Sequence, residues 1–286
     1  MKKILVCLCF VTAFYGCQSD ASSSENAASA AKNEAAVETA PEKKSTAPIE
    51  KVNVNKSGIL TRNGIRLTPI LDSPKFENTK LIHKSPTSSD HLHAGDIDFD
   101  FEIEGDFELG KQTPEATKKG LPNSEKGQAI KVLLNNLDFG DFTSLENTIK
   151  IAGGHFSGLA VLTTSYGEAV KAQNAHQMFD FTVGHGSKNG IDPKGRHLFY
   201  VGPQGEYKSD EKVLLDFYVV NTEMSLQAAK VRVTINGTPF LLNDWRAYFI
   251  DGLKSGENSV KLELLDENKR LIPGKFNTVS RTFIVK

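Results

Sequence analysis

Cys7, Cys9 and Cys17 are the only cysteines in the 286 residues, and all three fall within the first 17. A thiol at Cys17, directly after Gly16, sits where a bacterial lipoprotein signal would be cut and the cysteine acylated. Met1-Lys2-Lys3 supplies a positive start, and Ile4 to Tyr15 supplies an apolar stretch of signal-peptide length that is too short to span a bilayer. A strict signal of this type carries Leu and then a small residue before Gly-Cys, whereas this chain has Phe14 and Tyr15. Ordinary secretion with an unmodified Cys17 is therefore the alternative. Lipidation would leave a mature chain without a free thiol, held to a membrane by its N-terminus.

Other residues could do different chemistry. His91-Leu92-His93 is the one His-x-His pair, and its two rings could bind copper or zinc if Asp90 or Asp96 joined them. The opposing reading is a solvated turn. Asp96, Asp98, Asp100, Glu102 and Glu104 form an acidic row that could attract calcium. Alternate carboxylates on a strand lie about 6.6–6.8 Å apart, so the row reads better as a hydrated face. Trp245, the single tryptophan, and Tyr248 could stack on a sugar or anchor a peptide. Against this, Phe142 occupies the corresponding stretch of an earlier repeat, which favours packing. His155 lies in a stretch read as an exposed turn. Ser209-Asp-Glu-Lys212 fits S-x-x-K without its companion motifs, and Gly184 to Gly190 reads as a linker rather than a phosphate cradle. No catalytic residue is assigned.

These side chains must be positioned by strands. Ile97, Phe99, Phe101 and Ile103 alternate with the acids, a period of two that buries one face. Val213, Leu215, Phe217 and Val219 repeat the pattern. Ala129 to Phe139 aligns with Lys230 to Phe240, pairing Ile130 with Val231, Val132 with Val233 and Leu134 with Ile235, each 101 residues apart. Asn135-Asn136 and Asn236-Gly237 follow these strands and suit tight hairpin turns. Phe179 to Val183 and Arg281 to Val285 close the two copies.

The expected fold is all-β: two tandem immunoglobulin-like β-sandwich domains after a signal peptide and a disordered tether. The boundaries are 1–16 for the signal, 17–57 for an Ala/Ser/Glu-rich tether, 58–185 for the first sandwich, 186–195 for a linker and 196–286 for the second sandwich. One large sandwich is the alternative. The strand-like pieces between Gly58 and His83 are expected to pair onto the first sheet. The tether contains almost no large apolar residue and cannot offset its ordering entropy by burial.

Lys and Arg number 34 against 35 Asp and Glu, a formal net charge of -1, which excludes a field for nucleic acid. An exported chain without disulfides must hold itself together with large cores.

Phe107 to Ala116, Asn123 to Gln128, Gly205-Glu-Tyr207, Leu215-Asp-Phe217 and Gly256-Glu-Asn258 together resemble a family of uncharacterised Bacteroidetes-type lipoproteins with tandem Ig-like domains. Some of its members are automatically labelled phosphopeptide-binding proteins. The resemblance implies a relaxed lipid signal and, through Gln18-Ser19-Asp20, display at the cell surface. It also implies a His-x-His pair and a third histidine on neighbouring strands. This chain departs there, with Ala129 and Lys131 flanking Ile130, and Gly167 following Ser165-Tyr166. It also lacks an Arg-Ser-His arrangement for reading phosphate.

The expectation is a non-catalytic binding or adaptor protein, lipid-anchored to the outer membrane on its periplasmic or cell-surface side, with no cofactor. Partners would be the membrane, through the N-terminal lipid, and another envelope protein, a peptide or a glycan. The alternatives are a copper- or zinc-binding protein and a structural component of an envelope assembly.

Overall fold

The computed structural model describes residues 53–54, 58–121, 123–185 and 190–286. The signal, Cys17, the tether through residue 52, and residues 186–189 of the linker lie outside the described residues. In chain order the strands are β1 Asn53–Val54, β2 Leu60–Arg62, β3 Ile65–Pro69, β4 Lys80–Ser85 and β5 Gly95–Glu104. A short helix α1, Pro114–Lys119, precedes β6 Ala129–Leu134, β7 Leu137–Phe142, β8 Glu146–Ile151, β9 Gly154–Thr163 and β10 His176–Val183. The rest are β11 His197–Gly202, β12 Gly205–Tyr207, β13 Val213–Val220, β14 Lys230–Ile235, β15 Thr238–Leu242, β16 Tyr248–Asp251, β17 Gly256–Leu265 and β18 Thr278–Val285.

These strands make two immunoglobulin-like sandwiches. In the first, a sheet of order β4-β5-β8 shares a core with one of order β10-β9-β6-β7. The alternation of β5 is realised: Ile97, Phe99 and Phe101 are buried against Ile130, Val132, Leu162 and Phe181, while Asp96 and Asp98 are exposed. In the second, the order β1-β2-β3-β16-β13-β11 faces β12-β18-β17-β14-β15, burying Leu215 and Phe217 with Val231, Val233 and Leu262.

The repeat extends to single hydrogen bonds. Asn135 and Asn236 have φ of 51° and 46°, and Asn136 and Gly237 follow at 62° and 79°. Positive φ at both central residues of a two-residue loop matches the twist of the flanking strands. The Asn135 side-chain oxygen accepts the Ser157 N–H at 3.1 Å, and that of Asn236 accepts the Ser259 N–H at 2.8 Å. Each sandwich also ends with a parallel contact onto its last strand, Leu92 with Val183 and Tyr207 with Val285.

Two expectations are corrected. Lys80–Ser85 pairs with the first sandwich as expected, but β2 and β3 belong to the second, where β3 runs antiparallel to β16 with Leu67 opposite Ile250. The cause is burial: Ile65 and Leu67 point into the second core, and Arg66 pairs with Asp251 across the strands. The tether also ends sooner than residue 57, since Asn53 and Val54 pair with Thr61 and Leu60.

The sandwiches are stacked face to face. Leu133, Leu159 and Val161, on the outward side of the β6-β9 sheet, are 0–1% exposed because they pack on Phe199, Val201, Tyr218 and Val220 of β11 and β13. Ile191 of the linker joins this layer. The middle two sheets are thus buried on both faces. The matched position of Leu133 in the second copy, Thr234 on β14, remains partly exposed. The Asn136 carboxamide crosses the junction, accepting the Tyr200 N–H at 2.7 Å and donating to the Leu198 carbonyl at 3.4 Å. It satisfies the free edge of β11 as a neighbouring strand would.

Leu133 and Thr234 are repeat equivalents with opposite surroundings, and this gives an internal control. Leu133→Ala should lower stability by about 2–5 kcal/mol in urea unfolding. Thr234→Ala should change it by less than about 1 kcal/mol. Equal effects would mean that the stacked interface is not formed in solution.

A candidate ligand cleft between the sandwiches

The site is organised by a carboxylate that the fold cannot leave alone. Asp216 on β13 is fully buried at the junction. Its Oδ2 accepts the Ala169 N–H at 2.7 Å, and its Oδ1 accepts Lys171 Nζ at 2.5 Å. A buried charge persists only when paired and hydrogen-bonded, so the Ala169–Lys171 segment of the first sandwich is tied to the second. Beside it lies Glu168, 1% exposed, which accepts the Ser73 hydroxyl at 2.5 Å and the Tyr166 hydroxyl at 2.8 Å. Burial, reinforced by Asp216, pushes the Glu168 carboxyl above the usual carboxylate range.

Next to this network a cleft of about 610 Å³ opens between the sandwiches. Half-buried Trp245 lines it and meets the fully buried Tyr218 edge to face, ring centroids 4.9 Å apart at 82°. The Trp245 indole N–H is anchored on the Phe217 carbonyl at 3.3 Å. The Tyr218 hydroxyl lies 3.2 Å from His176 Nδ1. Lys171 Nζ sits 5.6 Å and 5.9 Å from the Tyr218 and Trp245 ring centroids, a weak cation–π contact made by a charge already held by Asp216. Burial pushes the His176 imidazole down and the Tyr218 phenol up, so both are neutral at physiological pH. At the mouth lie the exposed Gln173 and Asn174.

The sequence-derived candidates fare unequally. Trp245 lines the cleft, but Tyr248 does not join it. Tyr248 is 4% exposed in the second core and donates to the Asp244 carbonyl at 3.3 Å, and the ring beside Trp245 is Tyr218. Tyr218 was hidden inside the apolar run Val213–Val220, whose lone Asp216 was the available signal. His91 and His93 are exposed on either side of half-buried Leu92. Among the described residues no three His, Cys, Asp or Glu side chains gather as a metal site. The acidic row is a solvated face, where Glu102 pairs with Lys84 at 2.9 Å, Glu104 with Lys80 at 3.3 Å, and Asp98 accepts the Thr148 hydroxyl at 2.7 Å. His155 is not in an exposed turn. It lies on β9 opposite Thr182, its side chain 10% exposed, with Nδ1 2.9 Å from the Thr182 hydroxyl and Nε2 3.5 Å from Asp180. Ser209 sits in an exposed turn before β13.

No family model matches this chain, and no curated protein matches it. Among solved structures, the fibronectin(III)-like modules of Clostridium thermocellum CbhA align over 72% of this chain and 94% of theirs, with 10% identity and a TM-score of 0.26. A chain from the complex of Dpr2 Ig1-Ig2 with DIP-Theta Ig1-Ig3 aligns over 72% of this chain and 99% of its own, with 9% identity and a TM-score of 0.21. Likenesses at this level say nothing of function; the sandwich architecture rests on the sheet order above.

His83 on β4 gives the first sandwich an acid-sensitive point. Its ring stacks on Phe179 with centroids 3.9 Å apart, and burial lowers its pKa from 6.5 to about 4. The folded state therefore prefers the neutral ring, so this stability is complete above pH 6.5 and is lost as the pH falls toward 4. Allowing for partial exposure, the effect is about 2–3 kcal/mol. Between pH 6.5 and 4 the wild type should lose that much more stability than His83→Phe, measured by urea midpoints across the range. Parallel pH profiles would show that the ring is solvated.

Proposed function

We propose that this protein is a lipid-anchored binding protein of the cell envelope, which holds its ligand in the cleft between the two sandwiches and does not turn it over. The observation that carries this reading is the cleft itself. Its walls come from two sandwiches fixed by the buried Leu133, Leu159 and Val161 layer and by the Asp216–Lys171 pair, so the hollow exists before any ligand arrives. Its volume of about 610 Å³ and the half-buried Trp245 on its wall suit a small-molecule or oligomer site. Pre-formed walls lower the ordering cost of binding. The charged side chain that lines the hollow, Lys171, is held by Asp216, which favours retention over catalysis.

The anchor rests on Cys17 and its preceding apolar segment, and the resemblance to Bacteroidetes-type lipoproteins supports an outer-membrane location on the periplasmic or cell-surface side. The phosphopeptide label attached to that group finds no support at the cleft. A phosphate dianion calls for available Arg or Lys donors, and the lysine lining the cleft is taken up by Asp216 at 2.5 Å.

Two results are expected. Cys17→Ala should abolish labelling by radioactive palmitate and move the protein out of the detergent-rich phase in Triton X-114 partition. Continued labelling would refute the anchor. Trp245 is the only tryptophan, so intrinsic fluorescence reports the cleft directly. Solubilised envelope glycans or peptides should change it saturably and be recovered chemically unaltered; cleavage products would refute a pure binding role.

A further inference from the structure

We infer that Glu168 keeps its proton in the folded junction while Asp216 beside it stays charged, so that seating the turn after β9 against the second sandwich takes up a proton and weakens as the pH rises. None of this depends on what the cleft binds. Glu168 and Asp216 are 1% and 0% exposed, and the cation between them, Lys171, is committed to Asp216. The charges that act on Glu168 are Asp216 on β13 and Lys171 ahead of β10. With both carboxyls ionised, two negative charges would face one positive charge away from water. With one protonated, the group is neutral.

The donors decide which carboxyl carries the proton. Asp216 accepts only from groups that cannot accept in return: the Lys171 ammonium at 2.5 Å and the Phe217 N–H at 2.8 Å on Oδ1, and the Ala169 N–H at 2.7 Å on Oδ2. Three such donors fix Asp216 as the carboxylate. Glu168 meets hydroxyls instead, Ser73 Oγ 2.5 Å from Oε1 and Tyr166 Oη 2.8 Å from Oε2. A hydroxyl both donates and accepts, so one can turn to take the carboxyl proton while the other keeps donating to the second oxygen. A neutral Glu168 therefore loses no bond.

Ser73 gives the arrangement its reach. It lies on the segment that carries the chain from β3 of the second sandwich to β4 of the first, whereas Tyr166, Glu168 and Lys171 lie between β9 and β10. The protonated carboxyl joins this crossing to the turn, and the Lys171–Asp216 pair joins the same turn to β13. Loss of the proton makes Glu168 a competitor for Lys171, which also lines the cleft. Lys131, Asp141 and Lys212 share a smaller hollow with Tyr166 and Asp216. Lys131 is held there by Asp138 and Asp141, and Lys212 lies over the Phe249 ring at 5.0 Å.

Burial, and then Asp216, raises the folded pKa of Glu168 above 4.5, so its contribution is complete below the unfolded pKa and is lost as the pH rises through the folded one. The test compares urea unfolding of the wild type and Glu168→Gln from about pH 4.5 to about pH 9. The amide keeps the shape and both hydroxyl bonds but cannot ionise, and His83, which acts in the opposite sense, is common to both proteins. The ratio of the wild-type to the variant unfolding constant should climb by up to about tenfold per pH unit and then level off once Glu168 has ionised. Parallel profiles would overturn the inference. Carbon-13-labelled glutamate gives a second readout in the wild type: the Glu168 Cδ resonance should titrate above the ordinary range of exposed carboxyls. It is assigned by its absence from Glu168→Gln or, should that variant not fold, by its displacement in Ser73→Ala. A Glu168 midpoint within the ordinary range would equally overturn the proton uptake.

Discussion

Everything in this molecule depends on one apolar layer, the seam where Leu133, Leu159 and Val161 meet Phe199, Tyr218 and Val220. Sheets that pack on both faces can hold a charge only when it is paired, and both buried charges on the middle sheets are. Lys131, on the same seam-facing side of β6 as Leu133, is held by Asp138 and Asp141, each at 2.8 Å. Their combined charge outweighs the burial penalty and holds the lysine above its usual pKa. Asp216 is held by Lys171 and the Ala169 N–H. A buried pair of this kind adds little net stability, but removing one partner is costly, so it penalises any other register between the sandwiches.

The two units meet through opposite sides of the repeated sandwich. The first copy docks through the sheet built from β6, β7, β9 and β10, while the second docks through β11 and β13, the opposite side of its own sandwich. Such a head-to-tail contact could in principle repeat without closing. The outward faces left over differ from the seam in carrying charge. One carries Asp96, Asp98, Glu102 and Glu104; the other carries Arg232, Lys261 and Glu263, joined by salt bridges. Polar outer faces on terminal units are how stacked architectures stay soluble. The chain path adds a further tie, because β2 and β3 start in the second sandwich before the chain crosses to build the first.

The cleft follows from the seam rather than from either sandwich alone. Tyr218 belongs to β13, His176 to β10, Lys171 to the turn before β10, and Trp245 to the loop before β16. Only the stacked arrangement brings them together. Asn136 shows the same dependence: its φ of 62° makes a hairpin within one repeat, while its carboxamide completes the edge of β11, more than 60 residues away.

The strands themselves could be read from residue order. Alternation in Ile97 to Ile103, the 101-residue offset between Ile130 and Val231, and the Asn135 and Asn236 turns are all local properties, set by the side-chain period of two and by which residues tolerate positive φ. The docking had a faint local trace. Leu133-Leu134, Leu159 to Leu162 and Phe217 to Val220 are unbroken apolar runs, as expected of strands buried on both faces, whereas Lys230 to Ile235 alternates. What no local pattern contains is the partner of each face. Tyr248 and Tyr218 are equally aromatic in the chain, yet one fills the second core and the other the seam between the sandwiches, because side-chain surroundings depend on surfaces brought together from distant parts of the chain. The two β-sandwiches were therefore legible in the order of residues, and the seam, the N-terminal crossing and the cleft were settled by packing between faces that the order of residues leaves unmatched.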